Sequence, residues 1–196
     1  MLEKCNRFET KDIYEVLLFD EFQLDEGFKY KVVLDNPNLN VENAVTLVNS
    51  KLLSVKVRTT IWKQFHNVLY NDILKAKISN TVPVCKYCTE VDVNRVHLYF
   101  SCVKNNGCGR IFMKILQVFG QFEENDVLNM NFDVEIPQLA WFIANYLHYM
   151  QNNSENCNPG HFKQFLLAEF EVVRRSKFCD GSLEIEMNNL IQISDQ

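Results

Sequence analysis

Glycine and proline are scarce in this sequence, with six and four residues among 196. A sandwich or barrel of many short strands needs such turn residues often, so their scarcity favours long helices with short connections. The chain also lacks any run near the ~18 to 20 apolar residues of a membrane span, and its first residues lack the layout of a signal peptide. We therefore expect an intracellular protein of the nucleus or cytoplasm, without membrane contact, whose thiols stay reduced.

The patterns of common enzyme sites are missing as well. The sequence has no glycine-rich phosphate loop, no HExxH helix and no nucleophile elbow. Its acidic residues follow no arrangement that general acid–base catalysis would need. The sequence therefore predicts a non-catalytic protein, and we assign no catalytic residue.

Apolar material is plentiful, at 47% of residues, with aromatic residues making up 12%. This is enough for a packed core, and apolar residues recur at the three- and four-residue intervals of helices. We expect a mainly α fold: a single helical domain of five to seven helices with an embedded zinc knuckle. The segments with helical periodicity are 10–22, 41–53, 57–78 with a break near 70–72, 108–120, 137–150 and 161–178. Residues 28–34 alternate as a short strand would, and Trp62 and Phe65 are predicted to be buried.

Charge divides the chain into three parts. Residues 1–50 carry a net charge of −5, residues 51–104 of +6 and residues 105–196 of −6. We predict an acidic N-terminal helical segment at 1–53, a helical domain at 54–180 with the knuckle at 82–109, and an acidic tail at 181–196. A basic middle creates a local field that attracts polyanions even though the whole chain is acidic.

The basic middle contains the pattern C-x2-C-x8-H-x4-C, formed by Cys85, Cys88, His97 and Cys102. A C-x2-C turn points two sulfurs at one centre, and the histidine and last cysteine complete a tetrahedron. Zn²⁺ accepts three sulfurs and one nitrogen, and a shell filled by four protein ligands is structural. The sequence therefore predicts one bound Zn²⁺ at these four residues.

Other readings of the cysteines and histidines remain open. Cys108 is the second choice for the fourth ligand, and the cluster can also be read as buried free thiols or as a redox pair. The remaining histidines and cysteines have no partner at ligand spacing and are expected to be ordinary surface or core residues: His66, His148, His161, Cys5, Cys157 and Cys179.

The segment that runs from the basic helix through the cysteines resembles the zinc-binding region at the C-terminal end of LINE-type (non-LTR) retrotransposon reverse transcriptases. That family has a helix of the form K-x-R-x-x-x-W-K-x-x-H ahead of its C-x2-C…H-x4-C knuckle. The matching positions here are Lys56, Arg58, Trp62, Lys63, His66, Cys85, Cys88, His97 and Cys102. The family's polymerase palm and endonuclease are not found in these 196 residues, so the resemblance leads us to expect a stand-alone module or a host protein derived from one.

The resemblance implies binding to RNA or DNA, and the basic middle supplies cations for the phosphate backbone. The candidate contacts are Lys56, Arg58, Lys63, Lys75, Lys86 and Arg95. Tyr87 and Tyr99 are candidates for stacking on bases. The alternative is a zinc-stapled protein-interaction scaffold, in which these cations only solvate a helix face and a protein partner docks on the acidic ends or the C-terminal tail.

Overall fold

The computed structural model describes residues 37–66, 72–104, 106–153 and 157–175, together with Asn189 and Ile191. The predicted helix at 10–22 and strand at 28–34 lie outside these residues, as does nearly all of the tail at 181–196. The residues described after Pro37 belong to one compact unit that begins at Asn38. The first described helix therefore lies in the same compact unit as the helices after it.

Helices account for most of the described chain, which confirms the mainly α prediction. They are α1 (Val41–Asn49), α2 (Val55–Phe65), α3 (Asp72–Ser79), a π-helical turn (His97–Ser101), α4 (Asn106–Leu116), α5 (Glu124–Leu128), α6 (Pro137–Asn153) and α7 (Pro159–Arg174). Within the described ranges there is no strand, only an isolated antiparallel bridge between Val84 and Val91. None of these helices combines the length and the apolar character that a bilayer crossing requires.

Local sequence explains where α1 and α6 begin. Asn40 precedes α1, and its side chain accepts a hydrogen bond from the Asn43 N–H at 3.1 Å, which satisfies one of the free donors of the first turn. Pro137 is the first residue of α6, where its fixed φ suits a helix and its missing N–H is not needed. Both starts were predicted from the sequence, and both are confirmed.

Helix α6 is the centre of the fold and packs against α2, α7 and the π-helical turn. All side chains from Leu139 to Leu147 are buried. The Tyr146 ring stacks on Phe112 of α4, with centroids 3.8 Å apart and planes 4° from parallel. The Tyr146 hydroxyl donates a hydrogen bond to the Tyr99 carbonyl in the π-helical turn. Tyr146 thus connects the core to the π-helical turn that follows Cys85 and Cys88.

The two aromatic residues predicted to be buried on α2 differ in outcome. Phe65 is buried, with 3% of its surface exposed. Trp62 is only half-buried, and its ring lies 4.2 Å from the His66 ring, centroid to centroid. The prediction of full burial was therefore wrong for Trp62, because the residue lies at the edge of the apolar stripe and covers a neighbour on its own helix.

Gly109 allows α4 to lie directly against the π-helical turn. A Cβ atom at this position would be 3.1 Å from the Phe100 carbonyl oxygen and 3.2 Å from the Phe100 Cα. Both neighbours are backbone atoms, which cannot rotate away. A side chain here would push α4 away from the turn that carries His97, so the absence of a Cβ helps to fix the site described next.

Candidate metal centre

The first two cysteines lie on a tight turn. The Cys85 N–H donates to the Glu90 carbonyl at 2.9 Å, and the Thr89 N–H donates to the Cys85 carbonyl at 2.9 Å. Thr89 adopts a φ of 62°, a left-handed conformation that a β-branched residue seldom takes. The turn accepts this strain while bringing Cys85 and Cys88 to the same side of the backbone.

The histidine and the last cysteine lie at the two ends of the π-helical turn. Asn94 caps the helical residues that lead into this turn, since its side-chain oxygen accepts a hydrogen bond from the His97 N–H at 2.8 Å. The Cys102 N–H then donates to the His97 carbonyl at 2.9 Å. A hydrogen bond to a residue five positions back closes one π turn. The spacing H-x4-C therefore puts the two side chains one turn apart on one face.

The four side chains predicted to bind metal converge on one point. One ligand atom from each of Cys85, Cys88, His97 and Cys102 lies within 4.8 Å of all the others. The Cys85 and Cys102 sulfurs are 3.8 Å apart, and the Cys88 sulfur is 3.3 Å from His97 Nε2. A tetrahedron with Zn–S bonds of ~2.3 Å has sulfur–sulfur edges of about 3.8 Å. The arrangement fits a four-coordinate metal ion.

Burial of the cluster also suits a metal. Cys85 and Cys102 have no exposed surface, and His97 is 8% exposed. The cysteines pack with Val93 in a small apolar cluster, edged by Tyr87 and Leu98. Burial raises the pKa of the Cys102 thiol to about 11. This thiol therefore keeps its proton at neutral pH unless a bound cation replaces it, and metal affinity must fall as the pH falls.

Glu90 is a member of the site that the sequence reasoning missed. Its carboxylate oxygen Oε2 lies 3.1 Å from His97 Nδ1, on the ring edge opposite Nε2. A carboxylate in this position fixes the ring orientation and leaves Nε2 free to bind metal. The sequence does place an acidic residue between the C-x2-C turn and the histidine, which could have indicated such a partner. Whether its side chain reaches His97 depends on the conformation of the turn, which the sequence alone does not give.

Four of the six cations predicted to contact nucleic acid are well exposed: Lys56 and Lys63 on α2, Lys75 on α3, and Lys86 in the cysteine turn. The Lys86 ammonium lies 4.6 Å from the centre of the Tyr87 ring. These four side chains reach solvent.

The other two cations and one of the tyrosines are involved in the fold itself. Arg95 donates a hydrogen bond to the Leu128 carbonyl at the end of α5, at 2.8 Å, and burial lowers its pKa. Arg58 is half-buried on α2. Tyr99 is 4% exposed and its hydroxyl donates to Gln151, so the prediction that Tyr99 stacks on bases was wrong.

Cys108, the second choice for the fourth ligand, lies outside the cluster. The group that converges consists of the four residues above, and Cys108 instead contacts Cys157. No protein-family model, no curated protein and no solved structure matches the chain. The resemblance to LINE-type reverse transcriptases therefore rests on the quoted residues alone.

Proposed function

We propose that the cluster holds one structural Zn²⁺, and that the zinc-stapled module is a non-catalytic binder of RNA or DNA. The observation that carries the zinc assignment is the convergence of three sulfurs and His97 Nε2 within 4.8 Å of one another. Three sulfurs with one nitrogen form a donor set that Zn²⁺ favours, and four protein ligands leave no position for a reacting water. The ion would stabilise the turn and take no part in a reaction.

The exposed lysines support nucleic acid as the partner. Lys86 lies between the two ligands of the C-x2-C turn, and Lys75 lies on the helix that leads into it. Lys56 and Lys63 are seven residues apart on α2, and two turns of helix bring them to the same face. Four exposed cations on α2, α3 and the cysteine turn suit a phosphate backbone, since phosphate contacts position a protein without reading sequence. The same class of partner follows from the resemblance to the retrotransposon enzymes.

A salt titration tests this function. The full chain, loaded with zinc, is titrated into fluorescent single-stranded and duplex RNA and DNA at several salt concentrations. Each phosphate contact contributes a slope of about −0.9 for duplex DNA and about −0.7 for a single strand in log K against log salt. Four lysine contacts therefore predict a slope of about −3 to −4. Affinity that does not change with salt would contradict the proposal.

Charge reversal assigns the contacts. The double variant Lys56→Glu with Lys63→Glu and the double variant Lys75→Glu with Lys86→Glu should each lower the magnitude of the slope by about 2. Lys114→Glu is the matched control, since Lys114 is exposed on α4 outside the basic middle. If the control lowers affinity as much as the double variants do, the attraction is general and the proposed surface is incorrect.

A protein-interaction scaffold is the second candidate function, and one observation favours it. Several apolar side chains before and within the cysteine turn are exposed: Ile78 at 72%, Val82 at 55%, Val84 at 46% and Val91 at 62%. The test is quantitative pull-down with the wild-type chain, Val82→Asp with Val91→Asp, and Val118→Asp as a control at an exposed valine two residues after α4. A chain lacking residues 181–196 tests the predicted tail contact in parallel. Partners that persist in all variants would contradict both surfaces.

A further inference from the structure

A second pair of cysteines lies outside the metal cluster. Cys108 and Cys157 are 49 residues apart in sequence, and their sulfurs are 2.6 Å apart. Cys108 is buried in the first turn of α4, and Cys157 is half-buried, one residue ahead of the α7 cap residue Asn158. The contact therefore joins the starts of two helices that packing alone would otherwise hold together.

The surroundings hold both residues in place. Gly107 packs against Pro159, the first residue of α7, since a Cβ on Gly107 would lie 3.6 Å from the proline ring. The Asn158 side chain accepts a hydrogen bond from the His161 N–H at 2.8 Å, which fixes the backbone next to Cys157. On its other side, the Cys157 sulfur lies 3.6 Å from the Met150 sulfur on α6.

The sulfur separation distinguishes this pair from the metal cluster. In the cluster, Cys85 and Cys102 are 3.8 Å apart, which leaves room for an ion between them. The separation of 2.6 Å between Cys108 and Cys157 is too short for a shared metal, and it is shorter than the ~3.5 to 4.0 Å at which heavy atoms ordinarily pack. A small movement brings the two sulfurs to the ~2.05 Å of a covalent bond.

We propose that Cys108 and Cys157 are a redox-active pair that forms a reversible disulfide when the protein meets a peroxide. The Cys157 thiolate attacks one peroxide oxygen, breaks the O–O bond and becomes a sulfenic acid, releasing water after protonation. The Cys108 sulfur then displaces the sulfenic oxygen as a second water, and the S–S bond forms. Two thiols lose two protons and two electrons, and one hydrogen peroxide becomes two waters.

The electrostatics of the pair set the order of these steps. The hydrogen bond shared with Cys108 lowers the pKa of Cys157, and the Tyr149 hydroxyl lowers it further. The same shared hydrogen bond, together with burial, raises the pKa of Cys108. Cys157 is therefore the sulfur that ionises first, and it is also the more exposed of the two. In a reducing compartment such pairs are transient and sense oxidants, and reduced thiols restore them.

Peptide mapping of the oxidised full chain tests the proposal. The reduced, zinc-supplemented protein is treated with a small excess of hydrogen peroxide, alkylated and digested with trypsin without reduction. Cys108 and Cys157 fall in separate peptides, residues 105–110 and 115–163, neither of which contains another cysteine. We expect these two peptides to be linked, and dithiothreitol to separate them. The cross-link should raise Tm by about 5 to 15 °C, because it closes a long loop.

Two variants complete the experiment. Cys157→Ser should abolish both the linked peptide and the peroxide-dependent rise in Tm, whereas Cys179→Ser should change neither. The mapping of the wild-type chain decides the matter even if Cys157→Ser folds poorly. Cys108 and Cys157 that both remain open to alkylation after peroxide would overturn the proposal. A Cys157 peptide joined to residues 78–86, 87–95 or 96–104, which carry Cys85, Cys88 and Cys102, would overturn it as well.

Discussion

Every side chain from Leu139 to Leu147 of α6 is buried, whereas four valines near the candidate metal centre are exposed to solvent. Val82, Val84, Val91 and Val103 are 46% to 68% exposed, and the cluster's own apolar core consists of Cys85, Val93 and Cys102. Helix α6 therefore has apolar burial to hold it, at about 25 cal/mol for each Å² removed from water. Between residues 80 and 96 the buried side chains are those of Cys85 and Val93, so this stretch has little of this stabilisation, whereas Tyr99 and Phe100 of the π-helical turn are buried. Under the proposed zinc assignment, this stretch would depend on its metal ligands, whereas the core around α6 would not.

Removal of the metal should produce the largest difference in stability between the two regions. Binding free energies of ~10 to 16 kcal/mol are typical of structural zinc, so its loss should open residues 82–109 while the helices around α6 persist. Elemental analysis should find one zinc per chain, and chelation should increase amide exchange in 82–109 alone. Cys88→Ser should lose the zinc, whereas Cys108→Ser should retain it. A zinc-free protein with an unchanged, protease-resistant 82–109 segment would falsify the dependence of this segment on metal.

Replacing each tryptophan with alanine should show how much its burial contributes to the stability of the fold. Trp141 is 2% exposed on α6, and Trp141→Ala should cost ~3 to 5 kcal/mol of unfolding free energy. Trp62 is half-buried on α2, so Trp62→Ala should cost less, about 1 to 2 kcal/mol. Denaturant unfolding measures both, and zinc content should stay at the wild-type level in each variant. Equal costs for the two tryptophans would contradict the difference in their burial.

A substitution at Glu90 tests the candidate metal centre without removing a ligand. Glu90→Gln weakens the acceptor that orients His97 and should lower zinc affinity by about 10- to 100-fold. Competition with a colorimetric chelator measures this change. Glu123→Gln is a control at an exposed acidic residue that does not contact the cluster. Unchanged affinity in Glu90→Gln would show that the turn alone positions the histidine.

His148 gives the core a modest dependence on pH. Burial, with the nearby charge of Lys56 as a smaller cause, lowers the pKa of His148 to about 4 from the ordinary 6.5. The unfolded chain therefore binds a proton between pH 6.5 and 4 that the folded chain does not, and stability falls as the pH falls through this window. After allowance for solvent screening we expect a loss of about 1 to 2 kcal/mol.

Comparing wild type with His148→Gln isolates this contribution from acid release of the metal. His148 Nδ1 lies 2.7 Å from the Thr60 hydroxyl oxygen, and a glutamine oxygen can accept from that hydroxyl without titrating. The difference in unfolding free energy between the two proteins should change by about 1 to 2 kcal/mol from pH 6.5 to pH 4. A constant difference would place the pH dependence at other groups.

Sequence periodicity predicted the helices well where one apolar stripe decides the structure. The region predicted at 57–78, with its break, corresponds to α2 and α3, although residues 67–71 lie outside those described. The short helix α5 was not predicted. Its five residues are too few for a periodic signal, and α5 begins with a capping box between Glu123 and Asp126.

The candidate site also has a part that the sequence predicted and a part that it could not predict. Ligand spacing within eighteen residues identified the four converging side chains, because a local turn and one helical turn bring them together. The contact between Cys108 and Cys157 could not be predicted, since it depends on how α4 and α7 pack across 49 residues. Tyr99 was misread for the same reason, as its burial comes from α6 and not from its neighbours in sequence.

The π-helical turn also determines which changes in chain length the cluster can accept. A π turn holds one residue more than an α turn, and in an α-helix residues four apart share a face. Removal of the exposed Ser101 would shorten H-x4-C to H-x3-C and convert the turn to an α turn, with His97 and the cysteine still on one face. We therefore expect a chain with either spacing to place this pair of ligands on one face of the turn.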